Sequence, residues 1–288
     1  MIRNYLSLIK FSHTIFAMPF ALVGFFLGIY HSGQGFDFQK LILVLLCMIF
    51  ARSAAMAFNR WQDRDIDAKN PRTVVREIPS GVIKEKNALF FVIIMSLAFI
   101  LTTYFINRLC FYLSPVALLV VLGYSYTKRF TFLCHLFLGL GLALAPVGAY
   151  LAVTGVFDWI PVLYGIAVLF WTAGFDIIYA LQDEEFDKEN QLKSMPAVLG
   201  KKKALMLSNL LHVLSALAMI LAGITAGQNY EQLHLIHYIG LAVFILMLIY
   251  QHTLVKPNDL SRVNLAFFTT NGIASVLFGS LFILDFYI

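Results

Sequence analysis

The stretch L-I-L-V-L-L-C-M-I-F-A-R-S-A-A-M-A-F-N-R-W-Q-D-R-D-I-D, residues 41–67, decides the fold. Its first part is apolar, and a helix needs about 20 apolar residues to cross the hydrocarbon core of a bilayer. Its last part carries the aspartates Asp63, Asp65 and Asp67 within five residues. The stretch therefore predicts a membrane-spanning helix that ends in a polar site at one membrane surface.

The rest of the chain shares this apolar character. Of its 288 residues, 60% are hydrophobic and 13% are charged, and the mean hydropathy is +0.80. A soluble domain carries about 25% charged residues, so this composition predicts an integral membrane protein. The cysteines Cys47, Cys110 and Cys134 have no CxxC spacing, which argues against a disulfide scaffold and against a metal or redox site.

We predict an all-α membrane protein with nine transmembrane helices in a single domain, residues 1–288. No strand-like alternation supports a barrel, and no cleavage site follows the first apolar run, which we expect to be retained as a span. Acidic clusters end the second and sixth spans, as two four-helix halves plus a ninth helix would place them. The predicted spans are 12–31, 39–61, 87–106, 110–127, 132–154, 159–181, 204–227, 234–255 and 263–286.

Most of the 21 Lys and Arg residues fall in segments on one side of these spans. The positive-inside rule then predicts that the N-terminus and the charged loops are cytoplasmic and that the C-terminus is outside, in a bacterial-type inner membrane. The net charge of +5 reflects this topology and does not indicate nucleic-acid binding. The basic rim can contact anionic membrane lipid, and no obligate protein partner is indicated.

Both acidic clusters follow helical spacing, so that their side chains are expected to share one helix face. Mg²⁺ prefers oxygen ligands and usually binds one or two carboxylates together with substrate phosphates. Two such stripes on one membrane side predict Mg²⁺ ions that bridge to a diphosphate and neutralise it as it leaves. The first stripe is Asn59, Asp63 and Asp67, and the second is Asp176, Asp183 and Asp187 with Tyr179 beside it.

Arg52 and Asp176 lie well inside predicted spans, away from their ends, where ionisable side chains are rare and usually functional. Arg52 lies on the helix face below Asn59 and suits an anion contact or a buried ion pair, and Asp176 lies within the sixth span. Basic residues near the stripes are individually explained by topology, but together they suit clamps around a diphosphate or a carboxylate. They are Arg72, Arg76, Lys128, Arg129 and Lys193.

Two other classes of protein remain possible from the residues alone. A transporter or cation channel would use intramembrane charges as a pathway, but most of the acids gather at one membrane face. A CDP-alcohol phosphatidyltransferase also pairs aspartates with a metal, but its D-G-x-x-A-R element is not found in this sequence.

The motifs resemble those of the UbiA superfamily of intramembrane prenyltransferases over nearly the whole chain. Asn59, Asp63 and Asp67 match its N-x-x-x-D-x-x-x-D motif, and Asp183 and Asp187 match its D-x-x-x-D motif. The flanking segments R-E-I-P-S-G at 76–81, F-D-I-I-Y-A-L-Q-D at 175–183 and K-S-M-P-A-V-L-G at 193–200 are also similar to those of the family.

The resemblance implies that the five motif residues hold two Mg²⁺ ions and that a polyprenyl chain passes from its diphosphate to an aromatic acid. It implies diphosphate binding by Arg72, Arg76, Lys128 and Lys193. Acceptor binding is expected from Arg52, Arg129, Tyr124, Asp176 and Tyr179, with ring faces stabilising the allylic cation. An apolar chamber is expected to hold the polyprenyl tail.

Within the superfamily, the chain most resembles the 4-hydroxybenzoate polyprenyltransferases of respiratory quinone biosynthesis. It departs from them at Arg60, where the family often has Asp, and in the loop N-P-R-T at 70–73. These features, together with H-T-I-F-A-M-P-F-A at 13–21, resemble the UbiA-like branch of menaquinone synthesis. A dihydroxynaphthoate acceptor is therefore the alternative to 4-hydroxybenzoate.

Overall fold

The computed structural model of the protein describes residues 2–9, 16–33 and 35–288. Regular structure within these ranges is helical, apart from one isolated bridge between Lys256 and Asp259. The helices are α1 (Ile2–Leu8), α2 (Met18–Ser32), α3 (Phe38–Gln62), α4 (Arg64–Asp67), α5 (Glu85–Ile106), α6 (Arg108–Thr127), α7 (Cys134–Thr154), α8 (Trp159–Ala180), α9 (Glu184–Glu189), α10 (Met195–Leu199), α11 (Lys201–Asn229), α12 (Ile236–Leu254) and α13 (Thr270–Asp285).

Eight helices in the described ranges are long and apolar enough to cross a membrane, and α2 is a shorter apolar helix. The eight are α3, α5, α6, α7, α8 with its continuation, α11, α12, and α13 with the π-helical turn Leu265–Thr269 before it. The all-α membrane fold is therefore confirmed, with one helix at each predicted span. Residues 13–15 of the segment 13–21 lie outside the described residues.

The helix that bears each acidic cluster packs against the next spanning helix in the chain, α3 against α5 and α8 against α11. Two structurally related halves would produce the same pair of contacts. Helix α7 lies between them, in contact with α2, α6 and α8, and α13 packs against α12 and α2. The polar ends of α3 and α8 are thereby directed to one side of a common bundle.

The acidic clusters differ from the single helical stripes that their spacing predicts. Helix α3 ends at Gln62, and α4 begins at Arg64 after a residue with non-helical ψ. The i to i−4 bonds survive this break, since the Asp63 and Asp67 amides donate to the Asn59 and Asp63 carbonyls at 2.9 and 2.7 Å. Helix α8 likewise passes through a 3₁₀ turn, Leu181–Asp183, before α9. A 3₁₀ turn changes the direction of side chains relative to a continuous α-helix.

Small residues allow the closest helix contacts. A Cβ atom added at Gly24 of α2 would collide with the backbone carbonyl of Pro146 in α7. A Cβ atom at Gly139 of α7 would collide with the carbonyl of Leu169 in α8 in the same way. Association of helices in lipid depends on such close packing, because apolar burial gives little preference for protein over lipid. These contacts hold α7 against α2 and α8.

We expect Gly24→Ala to destabilise the folded protein by about 1–3 kcal/mol, because the new methyl group overpacks the α2–α7 contact. Thermal unfolding of the detergent-solubilised protein measures the effect. The matched control is Gly148→Ala in α7, where no atom lies within 4 Å of the added Cβ atom. Equal melting temperatures for the two variants would contradict this account of the packing.

Candidate active site

Both acidic clusters line one polar cavity of roughly 1040 Å³ at the ends of α3 and α8. The structure thus brings together side chains more than 100 positions apart in sequence. All of the sequence-predicted site residues except Arg129 and Lys193 line this cavity. They are Asn59, Asp63, Asp67, Asp176, Asp183 and Asp187, together with Arg52, Arg72, Arg76, Tyr124, Lys128 and Tyr179.

Asp63 is buried at the end of α3 and is held by residues from α3 and α6. The Lys128 Nζ atom lies 2.6 Å from its Oδ2 atom, and Asn59 Nδ2 donates to the same oxygen at 3.2 Å. Arg129 Nη2 lies 3.7 Å from Oδ1, which has no hydrogen-bond partner among the described residues. Burial raises the pKa of Asp63, although the Lys128 ammonium opposes this shift. The site therefore has a carboxylate oxygen free for a further cation.

Asp67 is also buried, and Arg76 neutralises it from the following loop. Arg76 Nη1 donates to Oδ1 and Oδ2 at 2.7 and 2.8 Å. The Thr73 hydroxyl donates to the Asp67 carbonyl at 3.1 Å. These bonds fold the loop after α4 back over the cavity.

Asp183, in the second acidic cluster, is hydrogen-bonded to residues of the same loop after α4. Arg72 Nε donates to its Oδ1 at 2.9 Å, Arg72 Nη2 pairs with Oδ2, and Asn70 Nδ2 donates to Oδ1 at 3.1 Å. Arg72 Nη1 also donates to the Tyr179 hydroxyl at 3.1 Å, and its guanidinium carbon lies 5.3 Å from the centre of that ring. The loop after the first cluster is therefore bonded directly to the second cluster.

Asp187 lies one helical turn beyond Asp183 and is half-buried in the cavity wall. Its carboxyl group is hydrogen-bonded to the Ser194 side chain. In the described part of the chain, no three His, Cys, Asp or Glu side chains already converge on a metal position. Asp63, Asp67 and Asp183 contact basic side chains instead. The donor set of one amide and four carboxylates nevertheless fits a hard cation such as Mg²⁺, and the free Asp63 Oδ1 is available to it.

Two sequence-predicted residues lie at the edge of the site. Arg129 is exposed and donates to the Gln62 carbonyl at 2.7 Å besides its longer approach to Asp63. Lys193 is exposed, and its Nζ donates to the Phe130 carbonyl at 3.4 Å. Its backbone amide donates to the Lys128 carbonyl at 2.7 Å, which ties the segment before α10 to the end of α6. Neither side chain lines the cavity in this structure.

Arg60 and His135 line the cavity, and the sequence analysis did not place them there. Arg60 is buried, and its Nε and Nη1 atoms have no hydrogen-bond partner among the described residues. The sequence marked Arg60 only as a departure from the family pattern next to Asn59. His135 Nδ1 lies 2.7 Å from Asp176 Oδ2, a contact across 41 residues that no motif spacing indicates.

An apolar cavity of roughly 360 Å³ adjoins the polar one among α3, α5, α6 and α7. Its walls are mainly aliphatic side chains, as a chamber for a hydrocarbon chain requires. Five residues line both cavities and so mark the boundary between them. They are Arg52, Met56, Tyr124, Leu138 and Leu142. The Arg52 Nε atom is buried at this boundary and lacks a hydrogen-bond partner among the described residues.

Comparisons with known proteins identify the family of this chain. The family profile of the UbiA prenyltransferases matches residues 17–273. The 4-hydroxybenzoate octaprenyltransferase of Vesicomyosocius okutanii is 31% identical over 253 residues, which are 87% of this chain and 90% of that protein. The 4-hydroxybenzoate octaprenyltransferase of Alcanivorax borkumensis is 32% identical over 234 residues, 81% of this chain and 78% of that protein.

Solved structures show the same fold. A UbiA homologue from Aeropyrum pernix, determined without ligand, superposes with a TM-score of 0.83 at 31% identity, over 95% of this chain and 98% of that one. A UbiA homologue from Archaeoglobus fulgidus bound to GPP and Mg²⁺ superposes with a TM-score of 0.75 at 21% identity, over 99% of this chain and all of that one. The family profile, the relatives and the fold agree with the resemblance in the motifs, and the chain belongs to the UbiA prenyltransferase family.

Proposed function

We propose that this enzyme transfers a polyprenyl group from polyprenyl diphosphate to a ring carbon of an aromatic acid, with 4-hydroxybenzoate favoured, in respiratory quinone biosynthesis. One observation carries the proposal: a cavity rich in paired acids and bases opens directly onto an apolar cavity. The diphosphate of a polyprenyl diphosphate suits the polar cavity, and its hydrocarbon chain suits the apolar one. The relatives named 4-hydroxybenzoate octaprenyltransferase support this choice of acceptor.

The donor's diphosphate is held, in this proposal, by Mg²⁺ and by the basic side chains of the cavity. Asn59, Asp63, Asp67, Asp183 and Asp187 are the ligands, and the Archaeoglobus homologue bound to GPP and Mg²⁺ supports this use of the shared fold. Mg²⁺ supplies positive charge that stabilises the departing diphosphate.

Three basic side chains, Arg72, Arg76 and Lys128, pair with the motif aspartates in this structure. When the aspartates turn to a metal, these side chains become available to phosphate oxygens. The same residues therefore satisfy the buried acids before binding and contact the diphosphate after it. Lys193 reaches the diphosphate only if its side chain leaves the Phe130 carbonyl.

The acceptor lies, in this proposal, at the boundary of the two cavities. Arg52 there has a buried Nε atom with no hydrogen-bond partner in the described part of the chain, which suits the acceptor's carboxylate. Tyr124 and Tyr179 line the same cavity and present aromatic surface to an allylic cation. Among the described residues, Arg129 approaches the lining of the cavity at Asp63, at 3.7 Å, and it is the weaker candidate for the acceptor's carboxylate.

A dihydroxynaphthoate is the second candidate acceptor. Two of the features that favour it are the departures from the 4-hydroxybenzoate group at Arg60 and in the N-P-R-T loop, and both contribute residues to the cavity. Arg60 presents a buried guanidinium, and the N-P-R-T loop supplies the Asn70 and Arg72 contacts to Asp183. In either case we propose that the site faces the cytoplasm of a bacterial inner membrane, the side predicted from the Lys and Arg distribution.

We expect membranes that contain the protein to form a lipid-soluble product from radiolabelled geranyl diphosphate, 4-hydroxybenzoate and Mg²⁺. Excess EDTA should abolish the product, and added Mg²⁺ should restore it. Asp63→Asn should lower turnover by more than about 100-fold, because it removes a ligand charge from the proposed metal site. Asp259→Asn, at an exposed carboxylate in the loop after α12, is the control and should match the wild type.

Parallel assays with a dihydroxynaphthoate decide between the two acceptors. If no labelled product forms with either acceptor, the proposed function is wrong. Full activity of Asp63→Asn would overturn the metal assignment alone.

We expect Arg52→Gln to raise the KM for the aromatic acid by about 10- to 100-fold, the loss that one hydrogen bond to a charged group carries. The KM for geranyl diphosphate should change much less, because other basic residues contact the diphosphate. Steady-state kinetics with each substrate varied in turn provide the test. The matched control is Arg108→Gln, which changes an exposed arginine at the start of α6, the end of that helix far from Tyr124 and the polar cavity. Equal increases in both KM values would contradict acceptor binding by Arg52.

A further inference from the structure

Asp176 and His135 form a pair in the wall of the polar cavity. The His135 Nδ1 atom lies 2.7 Å from Asp176 Oδ2. The His135 side chain is only 4% exposed, whereas that of Asp176 is 25% exposed and faces the cavity. Of the two, the carboxylate is therefore the group that a substrate can reach.

The hydrogen bonds of His135 determine its tautomer. The backbone amide of Met195, at the start of α10, donates to His135 Nε2 at 3.3 Å. A nitrogen that accepts a hydrogen bond carries no proton, so in the neutral imidazole the hydrogen is on Nδ1. His135 therefore donates to Asp176 Oδ2 and is held in place from behind by α10. No described residue donates to Asp176 Oδ1, which leaves that oxygen free at the cavity surface.

Asp176 differs from three of the four motif aspartates in what neutralises it. Asp63, Asp67 and Asp183 each pair with a lysine or an arginine. Within the described residues, Asp176 has no such partner within 4 Å and receives a single hydrogen bond from an imidazole. A carboxylate that is oriented but not neutralised by a cation is a better proton acceptor than one in an ion pair.

We propose that Asp176 accepts the proton that the aromatic acceptor loses and that His135 positions it. This role rests on the proposed function, and in it Asp176 completes the reaction by removing the proton from the substituted ring. The carbon–oxygen bond of the diphosphate breaks first, and the diphosphate leaves with the electrons of that bond. An electron pair of the ring then forms the new carbon–carbon bond to the allylic cation. The substituted ring carbon then loses its hydrogen as a proton to Asp176 Oδ1, and the electrons of that C–H bond restore the aromatic ring. Asp176 later releases the proton to water in the cavity.

His135 is a positioning residue in this scheme, because it touches Asp176 and not the reacting atoms. Its Nδ1–H bond keeps Oδ2 turned away from the substrate and Oδ1 towards it. An asparagine at position 135 can place an N–H donor near the same point, whereas a leucine of similar bulk cannot. The two substitutions therefore separate the hydrogen bond from the packing.

The test compares 4-hydroxybenzoate with its ring-deuterated form, using the full-length protein, Mg²⁺ and geranyl diphosphate. In Asp176→Asn we expect kcat to fall by about 100-fold or more, the usual contribution of a general base. Proton loss should then become rate-limiting, so that an isotope effect absent from the wild type appears. His135→Leu should lower kcat by about 10- to 100-fold with the same isotope effect, and His135→Asn should restore most of the activity. Asp259→Asn and the exposed His234→Leu are the controls.

Each result bears on one claim. Wild-type kcat in Asp176→Asn, or a lowered kcat with no isotope effect, would exclude Asp176 as the proton acceptor. A rise confined to the KM for the acceptor would assign it to binding instead and would also overturn the inference. If His135→Leu does not fold, Asp176→Asn and His135→Asn decide the question. A wild-type protein that transfers no prenyl group to any hydroxyarenecarboxylate would overturn the proposed function itself, an outcome distinct from those of the variants.

Discussion

The pairing of buried charges is the constraint on which the rest of this structure depends. An isolated carboxylate in a site of low dielectric constant is strongly disfavoured, and pairing with a cation and with hydrogen-bond donors offsets most of that cost. Asp63 and Asp183 meet this requirement through side chains from other parts of the chain, Lys128 at the end of α6 and Arg72 in the loop after α4. The charges in the cavity are therefore balanced only when α3, α6 and α8 take the relative positions that bring these pairs together.

The helix packing fixes the positions of the helix ends that carry these charged side chains. Helix α7 is held at close range to α2 through Gly24 and to α8 through Gly139, so its own end cannot shift freely. His135 lies in the first turn of α7 and reaches Asp176 from there. The break after Gln62 and the 3₁₀ turn Leu181–Asp183 then direct the acids of both clusters into the space between the helices. Rigid contacts within the membrane thus position polar groups at its surface.

The part of this arrangement that depends on local spacing could be predicted from the sequence. The apolar runs indicated one helix at each span, and the spacing of Asp63, Asp67, Asp183 and Asp187 indicated a shared acidic site. The contact between His135 and Asp176 could not be predicted, because it depends on the rotation of α7 about its axis. A membrane helix that is apolar on most of its surface gives little periodic signal for that rotation.

The same reason limits the predictions for the basic residues. Lys128 and Lys193 have the same charge and lie on the same predicted side, yet only Lys128 reaches the cavity. The difference arises because Lys193 follows a turn at Gln191, a residue with positive φ, whereas Lys128 directly continues α6. Arg60 was visible as a departure from the family pattern, but no local spacing indicates that its Nε and Nη1 atoms are buried without a hydrogen-bond partner among the described residues.

The boundary where Arg52, Met56 and Tyr124 line both cavities has a consequence for how a long amphiphile can lie in this protein. The environment changes there from fixed charges to hydrocarbon over the width of a few side chains. A molecule with a charged head and an apolar tail cannot reverse its direction without moving the head into the apolar cavity, at a large cost in solvation. The polarity gradient alone therefore sets the orientation of such a molecule, and no contact needs to recognise the individual units of its tail.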